Sequence, residues 1–222
     1  MSTQNEHIEN IVNKKYIPYM FPNLLNKSDY LNLKIDKEST SYISTKDVAN
    51  HITTILQHHI EKLGLHIKNS IITDATAGVG GNTLSFARRF NKVHAIEINE
   101  IRYNYLINNI GVYKLNNVVC YNKSCINLIN TIDSNIVFFD PPWGGKDYKK
   151  QIELELYISE VPLTKIVNDL ILSKSNVMQF IVGIKIPKNF ALEKFYNECI
   201  CKNIFLYELK KMNIIVIVEN NK

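Results

Sequence analysis

Apolar positions along the chain follow two rhythms. Between Ser44 and Gly64 they recur at helical spacing (Val48, Ile52, Ile55, Leu56, Ile60 and Leu63), which gives a helix one apolar face. Ser44-Thr45-Lys46-Asp47 reads as a capping box in front of it, with Ser44 as the N-cap, and Gly64 as a stop. From Ser70 onward, short apolar runs alternate with amphipathic stretches. The runs predict strands over 70–73, 92–98, 117–121, 135–139 and 176–184, and the stretches predict helices near 83–89, 101–110, 163–172 and 190–200. Two further strands, 204–209 and 214–218, close the chain around a turn at 210–213. Such alternation specifies an α/β fold, a mostly parallel seven-stranded sheet with helices on both faces. The closing pair supplies an antiparallel edge. The first 35 or so residues carry Tyr16, Pro18, Tyr19, Phe21 and Pro22 without a clean period and read as an irregular or helical appendage.

Composition narrows this little. A chain of 222 residues with 45% hydrophobic content suffices for one α/β core and a short appendage. The formal charge of +5, from 26 basic and 21 acidic residues, suits an anionic partner such as RNA without singling it out. The polar start MSTQNEHIEN lacks the apolar core of a secretion signal, and no apolar stretch is long enough to span a membrane. The four cysteines, Cys120, Cys125, Cys199 and Cys201, form no C-x-x-C pair. Together these features predict an intracellular protein, cytoplasmic or nuclear, that is monomeric, avoids membranes and needs no metal.

The sharpest local signal is Thr73-Asp74-Ala75-Thr76-Ala77-Gly78-Val79-Gly80-Gly81-Asn82, an apolar strand running into a glycine-rich turn that opens a helix. Glycines there let backbone pass close to a ligand. A dinucleotide site would show G-x-G-x-x-G with a pyrophosphate on the helix N-terminus. Here the turn reads G-x-G-G behind an acid, and Asp74 suits the cationic amino end of S-adenosyl-L-methionine (AdoMet) better than a pyrophosphate. Glu97 closes the second strand, where a ribose-binding acid belongs. Ile98 beside it can pack on adenine, and Ser124 lies beyond the third strand near the adenine edge. Thr76, Gly78 and Gly80 complete the expected cofactor set, and the bland alternative is a tight turn with a solvated strand end.

The fourth strand runs into Asp140-Pro141-Pro142-Trp143-Gly144-Gly145. Ligands of open α/β sheets bind beyond the carboxyl ends of the strands, so this loop should face the methyl of AdoMet. Two prolines stiffen it and fix the direction of its acceptors. An amine on an aromatic ring is a poor nucleophile, and acceptors aimed at its N–H groups localise its lone pair. Asp140, Pro141 and Trp143 are therefore the candidate catalytic residues, with Asp140 also bordering the cofactor. Trp143, the only tryptophan, can stack on a base, and a cationic 7-methylguanine would add a cation–π attraction. Otherwise the tryptophan is a core residue and the prolines an ordinary turn.

With these residues in hand, the sequence resembles the trimethylguanosine synthase family of RNA cap methyltransferases. Gly78-Val79-Gly80-Gly81-Asn82-Thr83 and Pro141-Pro142-Trp143-Gly144-Gly145-Lys146-Asp147-Tyr148 are similar to its two signatures. Asn108-Asn109 with Val112-Tyr113, and Asp36-Lys37-Glu38 through Ser44 with His51-Ile52, resemble its helix after the second strand and the segment that closes over AdoMet. The resemblance is good over residues 36–148. It implies a Rossmann-like class I methyltransferase domain over 44–222 behind an appendage and cofactor-covering segment over 1–43. It also implies that Ser44, Asp74 and Glu97 hold AdoMet, that Trp143 stacks on 7-methylguanine and that Tyr148 sits near the cap phosphates. Pro187-Lys188-Asn189 resembles a segment that meets those phosphates, so Lys188 and Asn189 join the substrate set, with Lys14, Lys15 or Lys27 as a further candidate. Animal members carry Ser where Asp140 stands and often Trp where Thr40 stands, and Lys188 replaces an Arg with a point charge.

The implied reaction moves a methyl from AdoMet to the exocyclic N2 of a 7-methylguanosine cap on RNA. It gives 2,7-dimethylguanosine and, on a second transfer, 2,2,7-trimethylguanosine. The rivals are an amino-methyltransferase of another RNA or DNA base, N6-adenine or ribosomal N2-guanine, and a catalytically silent cap-binding module. His51 reads as packing or capping; His58 and His59, being adjacent, point to different helix faces and make a poor metal pair. Cys120 and Cys125 read as apolar fillers.

Overall fold

The computed structural model describes residues 14–174, 176–177 and 179–220. The first 13 residues of the expected appendage lie outside them.

Among the described residues nine strands form, in chain order β1 (Ile71–Asp74), β2 (Lys92–Ile96), β3 (Val118–Tyr121), β4 (Ile136–Phe139), β5 (Tyr157–Ile158), β6 (Val161–Pro162), β7 (Gln179–Pro187), β8 (Ile204–Glu208) and β9 (Met212–Asn220). Seven of them build one sheet in the order β3-β2-β1-β4-β7-β9-β8, parallel except for β9, which runs antiparallel to both neighbours. The small β5–β6 hairpin stands apart, and residues this short gave no periodic signal. The helices are α1 (Ile17–Met20), α2 (Lys46–Lys62), α3 (Gly81–Ala87), α4 (Glu100–Val112), α5 (Leu163–Ser173) and α6 (Leu192–Glu198).

β4 is apolar throughout because both faces of a parallel sheet are covered. Ile136 and Phe138 pack with α2 and α3, and Val137 and Phe139 pack with α5 and α6 on the other side. β7 alternates likewise, so Gly183 and Lys185 fall on the α2 face. A Cβ at Gly183 would come within 2.9 Å of Leu56 on α2 and 3.0 Å of Phe138, so the helix needs a glycine there to approach.

Two expectations need correction. β7 runs to Pro187, three residues past the expected end at Ile184, because its partner β9 extends to Met212 and keeps the ladder going. The N-cap of α2 is Thr45, and no side chain caps it. Ser44 is buried and turned towards other partners, described below. Gly64, at φ 76°, does follow the end of α2 as the stop expected of it.

The segment before α2 is packed against the domain. Ile17, Phe21, Tyr30, Leu33 and Ile35 share a core with Val79, Leu84, Leu106 and Ile110. Asn109 on α4 ties it to the glycine-rich turn. Its side-chain amide donates to the carbonyls of Lys34 and Val79, both at 2.9 Å, and its oxygen accepts from Lys34 N at 2.8 Å. Arg102 pairs with Asp36 and Glu38 and lies 5.3 Å from the centre of the Tyr42 ring. A Cβ at Gly81 would meet Ile43 Cγ1 at 2.7 Å and Ser44 O at 2.9 Å, so residues 43–44 press directly on the start of α3.

Candidate active site

The carboxyl ends of β1, β2, β4 and β7 converge on one edge of the sheet. At β1, Asp74 is fully buried. Its Oδ2 accepts the Thr83 hydroxyl at 2.6 Å, and Oδ1 has no partner. Burial, with Asp140 and Glu97 nearby, pushes its carboxyl up to about 7. The turn that follows needs its glycines: Gly78 has φ 54°, Gly80 has φ 104°, and a Cβ at Gly80 would press on Leu106 at 3.0 Å.

Glu97, just past β2, accepts from Gly78 N and Asn99 N, each at 2.8 Å, one on each carboxylate oxygen. These bonds fix the carboxylate beside the turn and leave lone pairs on both oxygens. Ile98 is 63% exposed and can cover a flat ring. Asn122, after β3, donates to the carbonyls of Glu97 and Ile98, and Ser124 follows half-buried. An ammonium group complements the orphaned oxygen of Asp74, a diol complements Glu97, and an adenine complements Ile98. The chain's own residues therefore fit AdoMet.

At β4 the backbone N–H of Asp140 donates to Thr76 Oγ1 at 2.8 Å, which clips the loop to the turn after β1. Pro141 is buried and Pro142 exposed. Gly144 and Gly145 take φ 85° and 73°, a left-handed pair that turns the chain into a short 3₁₀ helix, Gly145–Lys150. Trp143 is half-buried, with the Tyr148 ring 5.3 Å away at 71°. Its indole N–H is buried without a partner.

Three side chains meet at the Asp140 carboxylate. Oδ2 accepts from Lys185 Nζ at 2.8 Å, Ser44 Oγ at 3.3 Å and Asn82 Nδ2 at 3.3 Å. Lys185 Nζ also donates to Ser44 Oγ at 3.0 Å and lies 5.3 Å from the Trp143 ring centre. Lys185 was not among the sequence-based candidates, because the apolar run was read as ending at Ile184. The available signal was a lysine inside that run, two residues before Pro187.

Lys188 and Asn189 follow the carboxyl end of β7. Lys188 is exposed and paired with Glu208 at 3.3 Å. Asn189 donates to the carbonyls of Tyr148 and Gln151, both at 2.8 Å, and so anchors the 3₁₀ helix that carries Tyr148. Lys14, Lys15 and Lys27 are exposed. His51 is exposed on α2, on the outer side of the helix, and so is not a packing residue. His58 is exposed and His59 buried, as their adjacency requires. Cys125 is buried in the core and burial pushes its thiol up to about 11, which suits a filler and not a nucleophile.

A family model described as RNA cap guanine-N2 methyltransferase matches residues 69–222. The chain belongs to this family. The match takes in the glycine-rich turn, Glu97 and the whole Asp140–Tyr148 loop. An uncharacterized protein of Acanthamoeba polyphaga mimivirus is 36% identical to this methyltransferase over 204 residues, spanning 83% of this chain and 78% of the viral protein. The trimethylguanosine synthase of Saccharomyces cerevisiae is 25% identical over 131 residues, 55% of this chain and 40% of the yeast protein. That of Schizosaccharomyces pombe is 30% identical over 89 residues, 37% of each. This chain thus matches less than half the length of either yeast synthase. In fold it is similar to a Geobacter metallireducens precorrin-6y C5,15-methyltransferase, at TM-score 0.58 and 14% identity over 86% of this chain and 96% of the other. It is also similar to the T. thermophilus 16S rRNA N2 G1207 methyltransferase, solved with AdoMet and guanosine, at TM-score 0.57 and 13% identity over 84% and 44%. The fold is the Rossmann-like methyltransferase fold, and the methyl donor is AdoMet. Among the described residues no helix is long and apolar enough to cross a membrane, and no group of three or more His, Cys, Asp or Glu could hold a metal.

Proposed function

We propose that this methyltransferase acts on the exocyclic N2 of 7-methylguanosine at the 5′ cap of RNA, giving 2,7-dimethylguanosine and, on a second transfer, the trimethyl form. One observation carries the reading: Trp143, followed by the left-handed Gly144–Gly145 pair and edge-on to Tyr148, has its ring centre 5.3 Å from the Lys185 ammonium that binds the Asp140 carboxylate at the cofactor end of the sheet. A flat base lying on Trp143 has its exocyclic amine beside an acceptor. A base made cationic by N7 methylation gains a cation–π attraction on the same ring.

Bound AdoMet supplies an electrophilic methyl on a sulfonium. The protein's residues do the rest. Asp74 and Glu97 orient the donor by its amino and ribose ends. The stiff Asp140-Pro141-Pro142 backbone holds the acceptors, and Trp143 fixes the plane of the base, so alignment is established before reaction. Asp140 accepts an N–H of the target amine and localises the nitrogen lone pair towards the methyl. Tyr148, Lys188 and one of Lys14, Lys15 or Lys27 would meet the cap phosphates, with Asn189 holding the stretch that carries Tyr148. The arrangement of residues 14–43 against α3 and α4 supports a division into a covering segment (1–43) and a catalytic domain (44–222).

The test is product identity. Short RNAs ending in a 7-methylguanosine cap or an unmethylated guanosine cap are incubated with protein and AdoMet, digested and separated. The reading expects 2,7-dimethylguanosine from the first RNA and no methylated base from the second. Methyl groups on internal adenine or guanine would overturn it in favour of another RNA base.

A further inference from the structure

Lys185 stands next to Asp140 because of strand register. β4 and β7 pair in parallel up to Phe139↔Ile184, and the next residues on each strand are Asp140 and Lys185. Lys185 is on the α2 face of β7, where the chain entering α2 passes. Its side chain is only 4% exposed, and its ammonium donates to Asp140 Oδ2 at 2.8 Å, Ser44 Oγ at 3.0 Å and Tyr42 O at 3.4 Å. Among the described residues, every hydrogen bond to the Asp140 side chain, from Lys185, Ser44 and Asn82, falls on Oδ2, and none falls on Oδ1.

Burying an ion pair gains little stability over apolar residues of similar size, so stability alone does not account for this one. The chemistry of the loop does. A carboxylate here can accept an N–H of the target amine and its proton, provided that one of its oxygens is left open towards the substrate. Asp140 is 14% exposed, and among the described residues the Lys185 ammonium is the cation in contact with its carboxylate. The pair also carries no net charge, so the ammonium 5.3 Å from the Trp143 ring centre does not repel a cationic base on that ring.

We propose that Lys185 is a positioning residue for methyl transfer. It pins Asp140 through Oδ2 and leaves Oδ1 to accept an N–H of the target amine. As the C–N bond forms, the S–C electron pair stays on sulfur, and the surplus N–H proton passes to Oδ1 and then to water. The proposal rests on the cap reading only for the identity of the amine.

The groups facing Asp140 are Lys185 from β7, Ser44 from the covering segment, Asn82 from α3, Thr76 from the turn, and Asp74 from β1 as the other titratable acid. The test therefore uses saturating AdoMet, which occupies Asp74, and measures kcat and KM with 7-methyl-GTP. Lys185→Met should lower kcat about 100-fold, a loss of the size seen when one transition-state hydrogen bond is removed. KM for 7-methyl-GTP should change less than about threefold, since Trp143 and the base keep their stacking. Lys185→Arg, which keeps a cation on Asp140, should lose less. In an Asp140→Asn background, Lys185→Met should cost nothing further in kcat. An unchanged kcat, a KM that rises as much as kcat falls, or a further loss in that background overturns the proposal. Should Lys185→Met alone fail to fold, the double variant, which buries no charge, and Lys185→Arg decide by the same criteria. If the wild type methylates another aromatic amine and not 7-methyl-GTP, the cap reading has failed, and the same variants are measured on that amine.

Discussion

Asp74 and Thr83 share a hydrogen bond of 2.6 Å that satisfies one oxygen of a fully buried carboxylate and leaves the other bare. Its carboxyl is pushed up to about 7, well above its unfolded value, so the folded protein without AdoMet holds a proton there that the unfolded chain has lost. Stability from this group is full below about pH 4, near the ordinary carboxyl value, and is lost as pH rises through about 7. Asp74→Asn should remove that decline and raise the melting temperature above pH 7, read by thermal unfolding without AdoMet. The same variant should weaken AdoMet binding about 10- to 100-fold, the cost of one charge-assisted hydrogen bond, measured by calorimetry. In the wild type, AdoMet should bind more tightly at pH 7.5 than at pH 6, because its ammonium needs an ionised Asp74.

Gly81 bears the pressure of the covering segment. Gly81→Ala introduces a Cβ within 2.7 Å of Ile43 and 2.9 Å of the Ser44 carbonyl, and the carbonyl cannot rotate away. Residues 43–44 must move off α3. The expected result is roughly 10-fold weaker AdoMet binding in a protein that still unfolds cooperatively, since a close contact of this kind costs about 1–3 kcal/mol.

Asn189 serves the cap side at one remove. Both its amide hydrogen bonds go to the carbonyls of Tyr148 and Gln151. Asn189→Ala should leave those carbonyls to water, loosen residues 145–150 and raise KM for 7-methyl-GTP several-fold, with AdoMet affinity unchanged. Limited proteolysis should cut that stretch faster.

Trp143 is the sole tryptophan, so its emission reports on its own face. Adding 7-methyl-GTP should quench it and GTP should do so weakly. Trp143→Ala should raise KM for 7-methyl-GTP about 10- to 100-fold, since stacking on an aromatic contributes about 1–3 kcal/mol per base.

Much of this was legible in the residues. Strand–helix alternation gave the parallel sheet, and the Asp74–Gly81 turn and the Asp140–Trp143 loop stood at strand ends where ligands bind. What could not be read was anything set by register between distant strands. Lys185 belongs beside Asp140 only because β4 and β7 pair as Phe139↔Ile184, 45 residues apart in sequence. Ser44 read as a helix cap because local spacing is all a sequence displays; its partners are Asp140 and Lys185, 96 and 141 residues away. Asn189 was placed on phosphates by resemblance, while its observed bonds to Tyr148 and Gln151 depend on how the chain after β7 meets the 3₁₀ helix.

The most direct test of the central claim needs no RNA. Purified protein and AdoMet are incubated with 7-methyl-GTP and, separately, with GTP, and each nucleotide is weighed by mass spectrometry. The account predicts that 7-methyl-GTP gains methyl groups, one or two, and that GTP gains none. Methylation of GTP to the same extent, or of neither nucleotide by protein that binds AdoMet, would contradict it.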